Sequence, residues 1–141
     1  MRTLLIFIIG LTLFAAAKDT APLPLDQLKA KAEAAPKPKQ AELYCELAQR
    51  QLEEANDIYN TNVDQARELF MESATSAELG AQASVESNKK LKQTEIKLRE
   101  LSKRMSDIRR TWAFEDRAPL DPAIQRVETA RNKLLDRMFQ K

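Results

Sequence analysis

Histidine is absent from this sequence, which removes at once the commonest general base and the commonest metal ligand. Cys45 is the only thiol, so no disulfide can close within the chain and no imidazole stands ready to activate it as a nucleophile. Two glycines in 141 residues leave nothing from which to build a phosphate-cradling loop. Adjacent carboxylates such as Glu53 and Glu54 fall on a polar helix face with no opposing wall. With these parts missing, the chain is expected to be no enzyme, to take no cofactor and to carry no catalytic or metal-ligating residue.

What is present is helical pattern. Apolar residues make up 43% of the chain, enough for one modest domain, and they recur at helical spacing over most of its length. The organising stretch is Asn62 to Trp112, where Val63, Ala66, Phe70, Ala74, Ala77, Ala81 and Val85 are followed by Leu91, Thr94, Leu98, Leu101, Met105, Ile108 and Trp112. A single helix of that length would be about 75 Å long and could not bury its own stripe. The flanking segments, Gln40 to Tyr59 and Pro122 to Gln140, are each long enough to cover half of it. The expected fold is therefore all-α: an antiparallel helical bundle of three helices, or four if the central helix breaks between Gly80 and Asn88. Gly80, Ser84, Ser87 and Asn88 are weak helix formers and make a joint there cheap, but no proline interrupts the stretch, so continuity is favoured.

The helix ends can be read from local chemistry. Asn60-Thr61-Asn62 closes the first helix, with Asn62 as N-cap of the next and Gln65 completing a capping-box pattern. Pro119 and Asp121-Pro122 stop the central helix and start the last, with Asp121 as N-cap and Pro122 where a missing N–H costs nothing. Inward positions are Ala41, Cys45, Ala48, Leu52, Ala55 and Tyr59 on the first helix, and Ile124, Val127, Ala130, Leu134 and Met138 on the last. Cys45 therefore reads as a buried small hydrophobe rather than half of an intermolecular disulfide. Trp112, Phe114 and Leu120 are expected to cluster at the closed end.

The first 39 residues have a different character. Arg2, the apolar run Leu4 to Phe14 and the small residues Ala15-Ala16-Ala17 have the pattern of a signal peptide over residues 1–17, with cleavage after Ala17. The apolar segment would reach only about 21 Å as a helix, short of a bilayer, so the mature form is expected to be exported, periplasmic or secreted, without a membrane span. Residues 18–39 read as a flexible tether, in which a short helix-compatible run, Asp26 to Ala35, lies between Pro22-Leu23-Pro24 and Pro36-Lys37-Pro38, and residues 40–141 as the bundle domain.

Several further stretches, Gln51-Leu52-Glu53, Asn62-Val63-Asp64, Lys90-Leu91-Lys92-Gln93-Thr94-Glu95, Asp107-Ile108-Arg109-Arg110-Thr111 and the ending Leu134 to Phe139, carry a resemblance that spans most of the mature chain. Through them the sequence resembles an uncharacterised family of short exported helical bacterial proteins. That resemblance implies secretion and an all-helical domain, and it brings no activity, ligand or site.

Charge is the feature that stands out. The formal net charge is only +2, yet Gln40 to Glu86 holds ten acidic residues against Arg50 and Arg67. Asn88 to Trp112 reverses this, with Lys89, Lys90, Lys92, Lys97, Arg99, Lys103, Arg104, Arg109 and Arg110 against three acids. A surface that merely solubilises a bundle would mix its signs. The leading expectation is an interaction or structural module of the cell envelope, pairing with a second copy or with an envelope protein. The alternatives are binding of an anionic polymer, lipid or nucleic acid by those nine cations, and a holdase-like chaperone using the off-stripe residues Met71, Leu79 and Ile96.

Overall fold

The computed structural model describes residues 22–140, and within them the fold is all-helical, with no strand. Five helices have ten residues or more: α1 (Leu25–Ala34), α2 (Lys37–Ile58), α3 (Val63–Ser87), α4 (Leu91–Thr111) and α6 (Asp121–Phe139). A four-residue helix, α5 (Phe114–Arg117), and a 3-10 turn at Ala118–Leu120 lie between α4 and α6. The expected signal peptide, and its cleavage near Ala17, lie outside the described residues.

The favoured continuity of the central helix is corrected at one place, and the expected number of helices at another. The first is the link between α3 and α4. Asn88 (φ 54°) and Lys90 (φ 60°) both adopt the left-handed conformation, and the backbone N–H of Lys89 turns back to the Ser84 carbonyl at 3.3 Å. Asn tolerates this conformation better than most residues, whereas at Lys90 it costs about 1–2 kcal/mol. The central stretch is thus two helices, with the break at the far edge of the expected joint. Gly80 is not part of it. It lies buried inside α3, where an added Cβ would stand 3.3 Å from the Ala41 carbonyl oxygen and 3.3 Å from Cys45 Sγ. Its role is to let α3 approach α2 closely.

The second correction is α1. The stretch expected to be a flexible tether instead carries a helix that folds back on α2, burying Leu28 and Ala32 against Leu43, Tyr44 and Leu47. Pro24 and Pro36 flank it in extended conformation, and Pro38 falls in the first turn of α2, where a free N–H is not needed. The prolines therefore mark helix starts rather than an unstructured spacer, and α2 begins at Lys37, three residues before the expected Gln40.

The remaining long helices enclose one core. Ala48, Leu52 and Ala55 of α2, Phe70, Ala74 and Ala77 of α3, Leu98, Met105 and Ile108 of α4, and Val127 and Leu134 of α6 are all buried in it. Small residues on α3 bring it against α2, and the hydroxyls this buries are satisfied: Ser73 Oγ donates to the Ala48 carbonyl and Ser76 Oγ to Gln51 Oε1, each at 2.6 Å. The α2–α3 turn forms as read, with Asn62 Oδ1 accepting from the Gln65 backbone N–H at 3.1 Å. Asp121 does not cap α6. It is the first residue of that helix and accepts a hydrogen bond from the Arg109 guanidinium at 3.1 Å.

The closed end also differs from expectation. Trp112 and Leu120 are buried there, but Phe114 is 84% exposed, with the Arg117 guanidinium carbon 6.0 Å from its ring centroid. Tyr59 takes the expected place of Phe114 beside Trp112, its ring stacked on the indole at 4.2 Å between centroids.

Candidate anion-binding face

Helix α4 forms because its apolar residues keep a seam of three- and four-residue steps while the rest of its surface is polar. Leu98, Leu101, Met105 and Ile108 bury that seam, and in doing so they determine where every cation on the helix points. At 3.6 residues per turn, Lys92, Arg99, Lys103 and Arg110 fall within about 40° of one another, opposite the seam. All four are exposed, and from Lys92 to Arg110 the stripe they form runs about 27 Å along the helix.

The structure divides the nine predicted cations into groups. On the flank toward α2, Lys90 meets Glu42 at 3.4 Å, and Arg104 holds Glu53 through two hydrogen bonds of 2.9 and 3.2 Å. Lys97 lies on the same flank and lines a groove of about 410 Å³ with Glu42, Cys45, Glu46, Lys90 and Gln93. On the flank toward α6, Arg109 is paired with Asp121. On the outer face Arg110 reaches Asp107 at 3.4 Å. Among the described residues, Lys89, Lys92, Lys97, Arg99 and Lys103 have no carboxylate within salt-bridge distance.

The segregation of sign along the sequence is thus partly cancelled in space, because acidic α2 lies beside basic α4. Glu42 shows the effect: hydrogen bonds from Lys39 and then Lys90 hold its carboxyl below the usual range. A lowered carboxylate pKa gives stability that is present above the unfolded value and lost as pH falls through the folded one, and at this exposed position the contribution is small. Toward α6 the cancellation goes deeper. Glu95 is buried on α4 and accepts from Arg131 at 2.8 Å, while Arg131 also reaches Glu128, which accepts from the Ser102 hydroxyl. Spacing along the chain gives no sign of this network, because the partners are 26 and 36 residues apart.

A second groove, of about 570 Å³, runs between α3 and α6 over Ala81, Val85 and Ala130, with Glu78, Gln82 and Lys133 on its walls. The Arg126–Glu78 ion pair bridges the same two helices. The candidate chaperone residues do not gather into one patch. Met71 and Leu79 are partly exposed two turns apart on α3, and Ile96 is half-buried on α4. Of the other exposed apolar side chains, Phe114 follows α4 and Phe139 ends α6, at opposite ends of the molecule.

Cys45 is buried against Gly80, and loss of solvation pushes its thiol up to about 12. The native protein is therefore expected to resist alkylation by iodoacetamide at pH 8 and to react once unfolded, as read by mass spectrometry. Because the folded pKa is the higher one, the thiol also adds stability that is complete below its unfolded value and is lost between about 9 and 12. Fast labelling of native protein at pH 8 would show Cys45 to be accessible.

Among the described residues, no group of three or more acidic or cysteine side chains is placed to hold a metal ion, and no helix is long and apolar enough to cross a membrane. No family model matches the chain, and neither a curated protein nor a solved structure matches it.

Proposed function

We propose that this chain is an exported, non-enzymatic interaction module that works by presenting the outer face of α4 to a partner in the cell envelope. The observation that carries this reading is the set of exposed cations, Lys89, Lys92, Arg99 and Lys103, that have no acidic partner among the described residues. A solvated surface of mixed sign would have placed a carboxylate beside each of them, as Asp107 stands beside Arg110 at the end of the same face. Export rests on the signal-peptide pattern of residues 1–17, and the mature chain should begin at or near Lys18.

A second copy of the chain is the competing partner for this face. Glu54, Asp57 and Glu68, around the α2–α3 turn, are exposed and have no cation within salt-bridge distance among the described residues, so an antiparallel pair could set them against the start of α4. Sedimentation of the mature protein at low and high salt, together with retention on heparin, separates the partners. A monomer at both salts that is retained on heparin and released by salt favours an anionic ligand. A dimer that dissociates at high salt favours self-association. A monomer with no retention would sink the interaction reading itself.

A further inference from the structure

We infer that the ligand of the α4 outer face is a single extended acidic polysaccharide chain lying along the helix axis, an inference that rests on the interaction-module reading. The shape of the charge points to a single chain. Lys92, Arg99, Lys103 and Arg110 form a line only one helix wide. Glu100 and Asp107 stand about 60–80° around the helix, on the side of α2. Beyond them come the carboxylates of α2 itself, Glu46 and Glu53, both exposed. A flat anionic bilayer brought against this face would meet those acids as well as the cations, whereas one polymer chain can follow the basic line alone.

A lipid surface and a nucleic acid both call for groups that α4 does not present. Helices that lie in a lipid interface bury an apolar face in it. The apolar seam of α4 is already consumed by the core, and on the outer face the sole aliphatic side chain, Ile96, is half-buried. Single-stranded nucleic acid is held largely by stacking of bases on aromatic rings. Helix α4 itself carries no aromatic residue; Trp112 at its end is buried between Tyr59 and Phe70, and a single exposed ring, Phe114, follows beyond the far end of the basic stripe. What remains is recognition of charge along a line.

The spacing of the cations points the same way. The steps from Lys92 to Arg99 and from Lys103 to Arg110 are seven residues each, about 10.5 Å, with a shorter step of about 6 Å between them. A polysaccharide that carries a carboxylate on every second sugar repeats its charge on the longer of these scales. Three such charges span about 21 Å, so with the central one between Arg99 and Lys103 the outer two fall about 3 Å inside Lys92 and Arg110, a distance those long side chains can cover.

Hyaluronan oligosaccharides of graded length, whose uronates alternate with neutral sugars, are the probe. Affinity for the mature protein at low salt is expected to rise with length until the oligosaccharide spans the about 27 Å of the stripe, then level off. The combined variant Lys92→Glu, Arg99→Glu and Lys103→Glu should lose at least about a hundredfold in affinity, with its helical circular dichroism retained. An equal change in net charge elsewhere, Lys29→Glu, Lys31→Glu and Lys133→Glu, should leave affinity within about threefold, beyond the general effect of charge. Equal losses in the two variants would overturn the site. So would binding to phosphatidylglycerol vesicles or to oligothymidylate without binding to any oligosaccharide. If instead the protein binds no probe but forms a salt-sensitive dimer that the α4 reversals abolish, the interaction reading stands and the polysaccharide inference falls. Absence of both binding and dimer removes both.

Discussion

Replacing Trp112 with alanine is expected to lower stability by about 3–5 kcal/mol. The indole is 1% exposed and sits where three segments meet. Its face stacks on Tyr59 at the end of α2, at 4.2 Å with the planes 12° apart, and the Phe70 ring of α3 approaches edge-on at 5.7 Å. Its carbonyl accepts a hydrogen bond from Arg117 Nε at 2.9 Å. The Tyr59 hydroxyl completes the junction, donating to Asp116 at 2.6 Å and accepting from the Ala113 N–H at 2.8 Å. Truncation would therefore open a cavity walled by α2, α3 and the α4–α5 turn, none of which can collapse alone. Trp112→Phe should cost clearly less, because it keeps the stack and removes an indole N–H that has no acceptor among the described residues. Urea titrations followed by circular dichroism give both values. A loss below about 1 kcal/mol for Trp112→Ala would mean that the ring is not buried in solution.

Leu101→Ala is expected to cost about 2–5 kcal/mol, and Lys92→Ala close to nothing. Both residues are on α4, fewer than three turns apart, and only the register of the helix separates them. Leu101 is 3% exposed and joins the main core. In the fold it lies on the α2 side, lining with Leu52 the shallow groove that Glu53 and Arg104 close. Lys92 is exposed and has no carboxylate within salt-bridge distance among the described residues. Thermal melts of the two variants test the register directly. Equal, small shifts would mean that α4 is rotated from the position described, and the basic stripe on its outer face would be lost with it.

The helices whose boundaries were legible are those whose information is local. Asn62 followed by Gln65 fixes the start of α3 through one side-chain hydrogen bond across three residues. The seam Leu98, Leu101, Met105 and Ile108 marks the buried side of α4 by spacing alone. The end of the central stretch was less legible. Weak helix formers from Gly80 to Asn88 make a break inexpensive anywhere in that window, and propensity cannot distinguish a glycine that bends a helix from one that lets another helix come close. Contact with Ala41 and Cys45 decided that Gly80 stays helical, and the break moved to Asn88 and Lys90.

Two matters were never local. Leu25, Leu28 and Ala32 form too short a stripe to hold a ten-residue helix by themselves, so α1 exists because Leu43, Tyr44 and Leu47 of α2 offer it a surface. Charge is the other. The sequence by itself determined that the cations from Lys92 to Arg110 ride on one amphipathic helix, because helical periodicity is a property of the chain. Only the tertiary structure decided which positive charges remain available. Packing set α2 on one flank of α4 and α6 on the other, so that Lys90, Arg104 and Arg109 met carboxylates distant in sequence, while the outer face was left to solvent. Ion pairing depends on distances between helices, and those follow from how the apolar seams interlock rather than from the order of residues along any one of them.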